Sequence, residues 1–368
     1  MPLVDVLGDR DLDPRRKGPL WEGPDGEGPN GGVTFSLLSR FLVCRERFRI
    51  AVVEGLRPAE SFNHRIEFGS MWHLCEEAHG KKESWVGALF AYGKRLGQTY
   101  PMDRAEIAKW VEIVRRMYPV YLDHRQAQRP GVKTYPVFRE RVFDVPYNLP
   151  SGRRVRLRGK MDGADLVKRG YCLVEHKTKG HIDEERIARQ LNFDLQTMMY
   201  AVAFTAVQRL DRDMDDELPL VGVDYSVIRR PLAGGAGTVV RKKPSKSNPA
   251  GETLTDYYDR VVSYVREEPE RFFMRWRVTF GPDDVARFAR ECLEPILEQL
   301  CDWWEYVSTV SNPFHQNLEY RPGVHWRHPF GVYNVLDEGG SSDLDEYLIS
   351  GSTAGLARAE TLFRELRE

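Results

Sequence analysis

No stretch of this sequence approaches the roughly 20 consecutive apolar residues that a membrane-spanning helix needs, which argues against a membrane protein. Cysteine is scarce: Cys44, Cys75, Cys172, Cys292 and Cys301 are scattered, and no Cys-x-x-Cys pair occurs. An odd, sparse set of this kind suggests reduced thiols rather than a disulfide framework. The opening residues Met1 to Asp5 lack the basic and apolar regions of an export signal, so a soluble, cytoplasmic protein is expected. No Gly-x-x-x-x-Gly-Lys-Ser/Thr occurs, which excludes a P-loop motor, and there is no internal repeat. An excess of charge of either sign is also missing. Lys and Arg number 54 against 55 Asp and Glu, for a net charge of −1. A partner of strong opposite charge is not advertised by the whole, and any basic surface must be local.

What is present fits an ordinary globular chain, with 41% hydrophobic and 30% charged residues. Its 368 residues suffice for a sizeable core divided into two or three units. Residues 1–34 are rich in Gly, Pro and charge and read as a flexible leader. Residues 35–130 read as a helical region, with apolar residues at helical spacing from Ser36 to about Glu54, from Phe68 to about Glu77 and from Met102 to Tyr121. The texture changes at residues 131–230. Three consecutive strands are expected around Val137–Val145, Arg153–Asp165 and Gly170–Lys177, then one long helix over Glu184–Gln208 and a strand over Leu220–Ile228. That is an α+β core in the order βββαβ. A basic mobile loop over 231–251 and a helical region with an irregular tail over 252–368 complete the chain.

Two of those strands carry chemistry. On the first, alternation puts Val155, Leu157, Gly159 and Met161 on a core face, and Arg154, Arg156, Arg158, Lys160 and Asp162 on the other. A row of cations leading to a carboxylate is either a solvated strand face or a track for a polyanion approaching a metal. On the next strand Glu175 and Lys177 share a face, while Cys172, Val174 and His176 point away. With Asp162 on the neighbouring strand, two carboxylates and an ammonium can converge. Oxygen ligands of this kind suit Mg²⁺ or Mn²⁺. A phosphodiester repels hydroxide, so a divalent ion that neutralises phosphoryl oxygens and acidifies a water is what such chemistry needs, with a lysine to orient the water or meet developing charge.

The ordered set Gly159-Lys-Met-Asp162, twelve intervening residues, Glu175-His-Lys177 and then Gln196-Thr-Met-Met-Tyr200 resembles the PD-(D/E)XK nuclease superfamily, and within it the RecB-like and AddB-like nuclease domains. Upstream, Phe35-Ser-Leu-Leu-Ser-Arg-Phe and Gly69-Ser-Met-Trp-His73-Leu-Cys-Glu-Glu77 are similar to further segments of that group. The resemblance implies a restriction-endonuclease-like core with a mixed central sheet, wrapped by N- and C-terminal helices. It implies a metal-dependent DNA exonuclease or endonuclease of recombination, repair or processing. It further implies Asp162, Glu175, His73 and the backbone carbonyl of His176 as metal ligands, Lys177 as the catalytic lysine, and Gln196 and Tyr200 lining the site. Candidate DNA contacts are Arg154, Arg156, Arg158, Lys160 and Lys179, and the substrate would be single-stranded DNA or DNA with ends. A non-catalytic DNA-binding scaffold on the same fold is the alternative function.

The sequence departs from these relatives in one respect. Several carry an iron–sulfur cluster held by one cysteine before the core and three after it. Cys44 stands at the first position, but only Cys292 and Cys301 follow the core, so no cluster is expected and Cys44 reads as structural. His315, His325 and His328 are either a metal site or surface and packing histidines. The acid-free run from Arg229 to Lys246 is either a phosphate-tracking loop or a solvated one. Processive DNA resection would need an ATPase supplied by a separate chain.

Overall fold

The computed structural model describes residues 19–43, 45–58, 61–128, 134–192, 194–231, 240–246, 249–309, 356–363 and 366. The chain opens with α1 (Phe35–Val43), α2 (Arg45–Phe48), a π-helical turn (Arg49–Val53), β1 (Leu56–Pro58), α3 (His64–Gly80), α4 (Trp85–Thr99) and α5 (Arg104–Ala127). Next come β2 (Tyr135–Asn148), β3 (Arg154–Val167), β4 (Gly170–Lys179), α6 (Glu184–Leu191), α7 (Leu195–Leu210) and β5 (Leu220–Arg229). The last elements are α8 (Leu254–Glu267), β6 (Phe273–Thr279), α9 (Pro282–Phe288), α10 (Glu294–Thr309) and β7 (Leu356–Arg358).

Five strands form one sheet in the order β2-β3-β4-β5-β6. Only β4 and β5 run parallel; the other neighbours are antiparallel. A parallel pair needs a crossover, and α6–α7 supplies it. The central strand β4 is buried from Gly170 to His176, as expected where helices cover both faces of a sheet. One face packs on α7, α1 and α10 through Leu157, Met161, Met198, Phe204, Leu297 and Trp303. A second core joins α3, α5 and α8 to β5 and β6 through Trp72, Trp110, Val114, Tyr118, Val265 and Phe273. Each fully buried Leu or Met side chain contributes about 1.5–3 kcal/mol of transfer free energy. The fold is a mixed α+β architecture of the restriction-endonuclease-like kind, a five-stranded mixed sheet flanked by helices.

The structure departs from the periodicity reading in several places. The single helix expected over Glu184–Gln208 is two helices, because Asp194 turns the chain and caps α7, accepting a hydrogen bond from the Thr197 N–H at 3.2 Å. Strand β6 and helix α4 were not anticipated. β6 places Arg275 and Arg277 against the buried Asp224 of β5, an ion cluster that spacing alone does not reveal.

A further departure concerns residues 19–34, expected within a flexible leader. Trp21 is fully buried there, edge-on to Phe48 and Trp304, and its indole donates to the Gly32 carbonyl at 2.9 Å. The reason lies in the sheet. β3 is 14 residues long, but β4 pairs only with Gly163 to Val167. The free edge of its first half needs hydrogen-bond partners. Residues 24–33 provide them: Arg156 N–H donates to Pro24, Val33 N–H to Arg156 and Arg158 N–H to Val33, at 2.8–2.9 Å.

Candidate active site

The same divergence of β3 from β4 creates the site. The ladder between them ends at Gly163 and Val174, one step before Asp162 and Glu175 would face each other. Where the strands part, the Asp162 carboxylate accepts a hydrogen bond from the His176 N–H at 2.7 Å. Asp162 is thereby fixed by backbone, on the face opposite the buried Leu157 and Met161.

Two groups of side chains meet around Asp162. The first contains His73 of α3, whose Nδ1 lies 3.4 Å from Asp162 Oδ1 and 4.0 Å from Glu140 Oε1. Ligand atoms of His73, Glu140 and Asp162 all fall within 4.8 Å of one another. Gly69 lets α3 approach closely enough, because a Cβ there would stand 3.0 Å from the Thr178 hydroxyl of β4. Lys160 closes this group, 3.0 Å from Glu140 and 3.8 Å from Glu77. The second group lies deeper. Lys177 Nζ is 2.8 Å from Glu175 and also donates to the Gln196 amide oxygen. The Gln196 amide donates to Glu175 at 3.0 Å and approaches the Tyr200 hydroxyl at 3.3 Å. Tyr200 has room because position 159 is glycine: a Cβ would meet the Phe143 ring at 2.6 Å and the Tyr200 ring at 3.1 Å.

The expected residues thus gather, with a different grouping. His73 and Asp162 converge with Glu140, while Glu175 is tied to Lys177 and Gln196. Glu140 was absent from the sequence reading. The β2–β3 register passes from Arg139 opposite Gly163 to Arg141 opposite Met161, so Glu140 falls at the level of Asp162, with a left-handed φ of +52°. Its only signal was an acid within a strand, and that meant nothing until the register was known. The His176 side chain meets α3, with its ring edge-on to His73, centroids 5.9 Å apart, and its Nε2 3.3 Å from the buried Glu76.

The electrostatics follow from packing carboxylates together out of water. Burial, and then the Asp162 charge, push Glu140 and Glu175 above the ordinary carboxylate range. Burial also opposes ionisation of Asp162, but His73 and the His176 N–H overcome it and hold its carboxyl low. Burial disfavours the His73 cation too, and Asp162 outweighs it, so the imidazole titrates above its usual value. Burial likewise opposes the Lys177 ammonium, which Glu175 nonetheless keeps charged. Three largely buried carboxylates, those of Asp162, Glu140 and Glu175, thus stand near one imidazole, a donor set that could hold a divalent cation.

The expected cationic row is mostly engaged elsewhere. Arg156 pairs with Asp144 and donates to the Gly26 and Gly28 carbonyls, and Arg158 donates to Pro29 and Gly31. Both fasten residues 24–33 to β3, a long-range contact that strand alternation could not reveal. Arg154 meets Glu27 at the surface, and Lys179 ends β4, its carbonyl accepting from Arg230. In the basic loop, residues 232–239 lie outside the described residues, and Arg241 and Lys242 contact Glu252. Cys44, His315, His325 and His328 lie outside the described residues as well. No helix of the described residues is long and apolar enough to cross a membrane.

A cavity of about 510 Å³ opens over Asp162, Glu140, His73 and Lys160 and continues along α3 toward α4. Among curated proteins no match is found. The family model of the PD-(D/E)XK nuclease superfamily matches residues 33–303, from the end of the strand-edge segment into α10 and including both halves of the site. Members of that superfamily generally hydrolyse phosphodiester bonds with divalent metal ions, and this chain belongs to it.

Proposed function

We propose that the protein is a metal-dependent DNA nuclease of the RecB-like group that uses Mg²⁺ or Mn²⁺. The observation that carries this reading is the meeting of two groups at the β3–β4 divergence, a His–Glu–Asp donor set beside a lysine fixed by a carboxylate and an amide. One imidazole and two carboxylates suit a hard or borderline divalent cation. His73, Glu140 and Asp162 would hold the ion, with Glu175 and the His176 carbonyl at hand on β4. Once bound, the ion would neutralise phosphoryl oxygens and make a water more acidic.

The chain's own contribution is positioning. Lys177 stays charged and is held by Glu175 and Gln196, so its ammonium is pre-aligned to orient a water or meet charge developing on the phosphate. Gln196 and Tyr200 form the wall beside it from one face of α7. The retained set of Asp162, Glu175 and Lys177 favours catalysis over a purely DNA-binding role. Work in recombination, repair or processing, and cooperation with a separate ATPase chain, fit the same reading.

The test is metal-dependent cleavage by wild type and by Lys177→Ala and Glu175→Ala. Both variants should lose cleavage by at least about 10²-fold while remaining folded, as read by far-UV circular dichroism and a cooperative unfolding transition. Undiminished activity in either variant overturns the assignment. Labelled linear and closed circular DNA, offered alongside RNA, separate exonuclease, endonuclease and RNA-directed activity.

A further inference from the structure

The cavity over Asp162 extends well past the residues assigned to chemistry. Along α3, Ile66, Ser70, His73 and Glu77 all line it, so one face of the helix runs from the site to the outer end of the cleft. Ile66 stands seven residues from His73, about 10 Å along a helix axis, or about three nucleotides at stacked spacing. α4 adds Tyr92 and Arg95, one turn apart on the same cavity wall. The Arg95 guanidinium lies over the Tyr92 ring, 5.0 Å from its centroid, and the Tyr92 hydroxyl donates to Glu67 at 2.6 Å, which anchors the ring.

Two properties set this wall apart from an ordinary helix surface. Arg95 is exposed and makes no ion pair among the described residues, whereas Lys160 and Lys177 inside the site are both paired with carboxylates. Ile66 is 64% exposed although it lines a cleft. An exposed aliphatic side chain, a fixed aromatic ring and a cation without a carboxylate partner are the components of a single-strand binding platform. Residues 34–36 also line the cleft.

We propose that Ile66, Ser70, Tyr92 and Arg95 form a subsite for single-stranded DNA, holding the nucleotides next to the one attacked. Arg95 takes a backbone phosphate, Ile66 with Tyr92 packs an unstacked base, and Ser70, whose hydroxyl donates to the Ile66 carbonyl at 3.4 Å, lines the cleft beside them. The proposal rests on the nuclease reading and assigns it a substrate form. It also locates the phosphate contacts on α4, since Arg156 and Arg158 of β3 are held by the protein itself.

Steady-state cleavage by wild type, Arg95→Ala, Arg95→Lys and Ile66→Ala tests it on two substrates in Mn²⁺. One is a short single-stranded oligodeoxynucleotide; the other is bis(p-nitrophenyl) phosphate, a diester with no neighbouring nucleotide. Arg95→Ala and Ile66→Ala should raise the KM for the oligonucleotide roughly tenfold with little change in kcat. Hydrolysis of the small diester should be unchanged. Arg95→Ala should also lower the slope of log affinity against log salt by about 0.7, one phosphate contact on a single strand, and Arg95→Lys should restore that slope. Unchanged oligonucleotide KM and salt slope would overturn the subsite while leaving the nuclease reading intact. Equal losses on both substrates would also overturn it, because they mark a disturbed active site. Cleavage of duplex DNA but not of the single strand also overturns the subsite, and a wild-type protein that cleaves none of the single strand, linear duplex and circular DNA in Mg²⁺ or Mn²⁺ refutes the nuclease reading itself.

Discussion

Replacing Glu76 by Leu probes the support behind the candidate active site. Glu76 is buried on α3 and accepts hydrogen bonds from the Tyr118 hydroxyl at 2.8 Å and from Arg125 at 2.8 Å, with His176 Nε2 at 3.3 Å. Removing one member of a buried pair costs about 3–5 kcal/mol, because the partner charge stays behind. Here the lower end applies. The Arg125 side chain is 28% exposed and can turn partly to water, and the Tyr118 hydroxyl keeps the Cys75 carbonyl at 3.1 Å. His176 fares worse, since its Nδ1 already lacks a partner and the variant leaves the whole ring unpaired. A loss of about 3 kcal/mol is therefore expected, a large part of the 5–15 kcal/mol typical of folded proteins. Urea unfolding followed by tryptophan fluorescence would read it as a lower midpoint at unchanged slope.

The pH dependence gives a second readout. Burial opposes the Glu76 charge, but His176, Arg125 and the Tyr118 hydroxyl together hold its folded-state pKa below the unfolded value. Its stabilisation is thus present above the unfolded value of about 4.3 and is lost as pH falls through the lower folded value. The difference between wild type and Glu76→Leu should persist near neutrality and close only at acid pH. A difference under about 1 kcal/mol near neutrality, or one undiminished well below the carboxylate range, would refute the reasoning.

Trp21→Ala should destabilise the protein by about 3–5 kcal/mol, since this indole is fully buried between Phe48 and Trp304. A thermal midpoint equal to wild type would return residues 19–34 to the status of a loose leader. Glu140→Gln should raise the Mn²⁺ concentration needed for half-maximal cleavage about tenfold, with an unfolding midpoint at least as high as wild type. An unaltered metal requirement would remove Glu140 from the donor set. Because Glu140 and Glu175 are pushed up by burial and by Asp162, metal binding should release protons and strengthen as pH rises through and above the ordinary carboxylate range. Calorimetric titration with Mn²⁺ in two buffers of different ionisation enthalpy would count those protons, and a count of zero would contradict the assignment. Asp194→Ala removes the cap of α7 and should cost about 1 kcal/mol in the same urea assay; no loss would mean that the side chain's bond to Thr197 is immaterial.

Local spacing made much of this protein legible. Alternation put Asp162 on one face of β3 and Glu175 with Lys177 on one face of β4, and a four-residue interval stacked Gln196 on Tyr200. Those relations depend only on the period of a strand or a helix, so the sequence by itself determines them. Even the break before α7 had a local signal, since Asp194 is a helix-capping residue, but the apolar periodicity across it concealed the break. What the tertiary structure decided were relations between distant segments. Glu140 joins Asp162 through the β2–β3 register. Arg156 and Arg158 serve a segment more than a hundred residues upstream, because β3 outruns its pairing with β4 and its bare edge must be satisfied. His73 enters from α3 because Gly69 permits close contact with Thr178. A strand's period assigns faces, whereas register, strand divergence and helix approach decide which faces meet. For that reason Asp162, Glu175 and Lys177, and His73 through the resemblance, were nameable from sequence, while the place of Glu140 beside His73 and Asp162 emerged only from the folded chain.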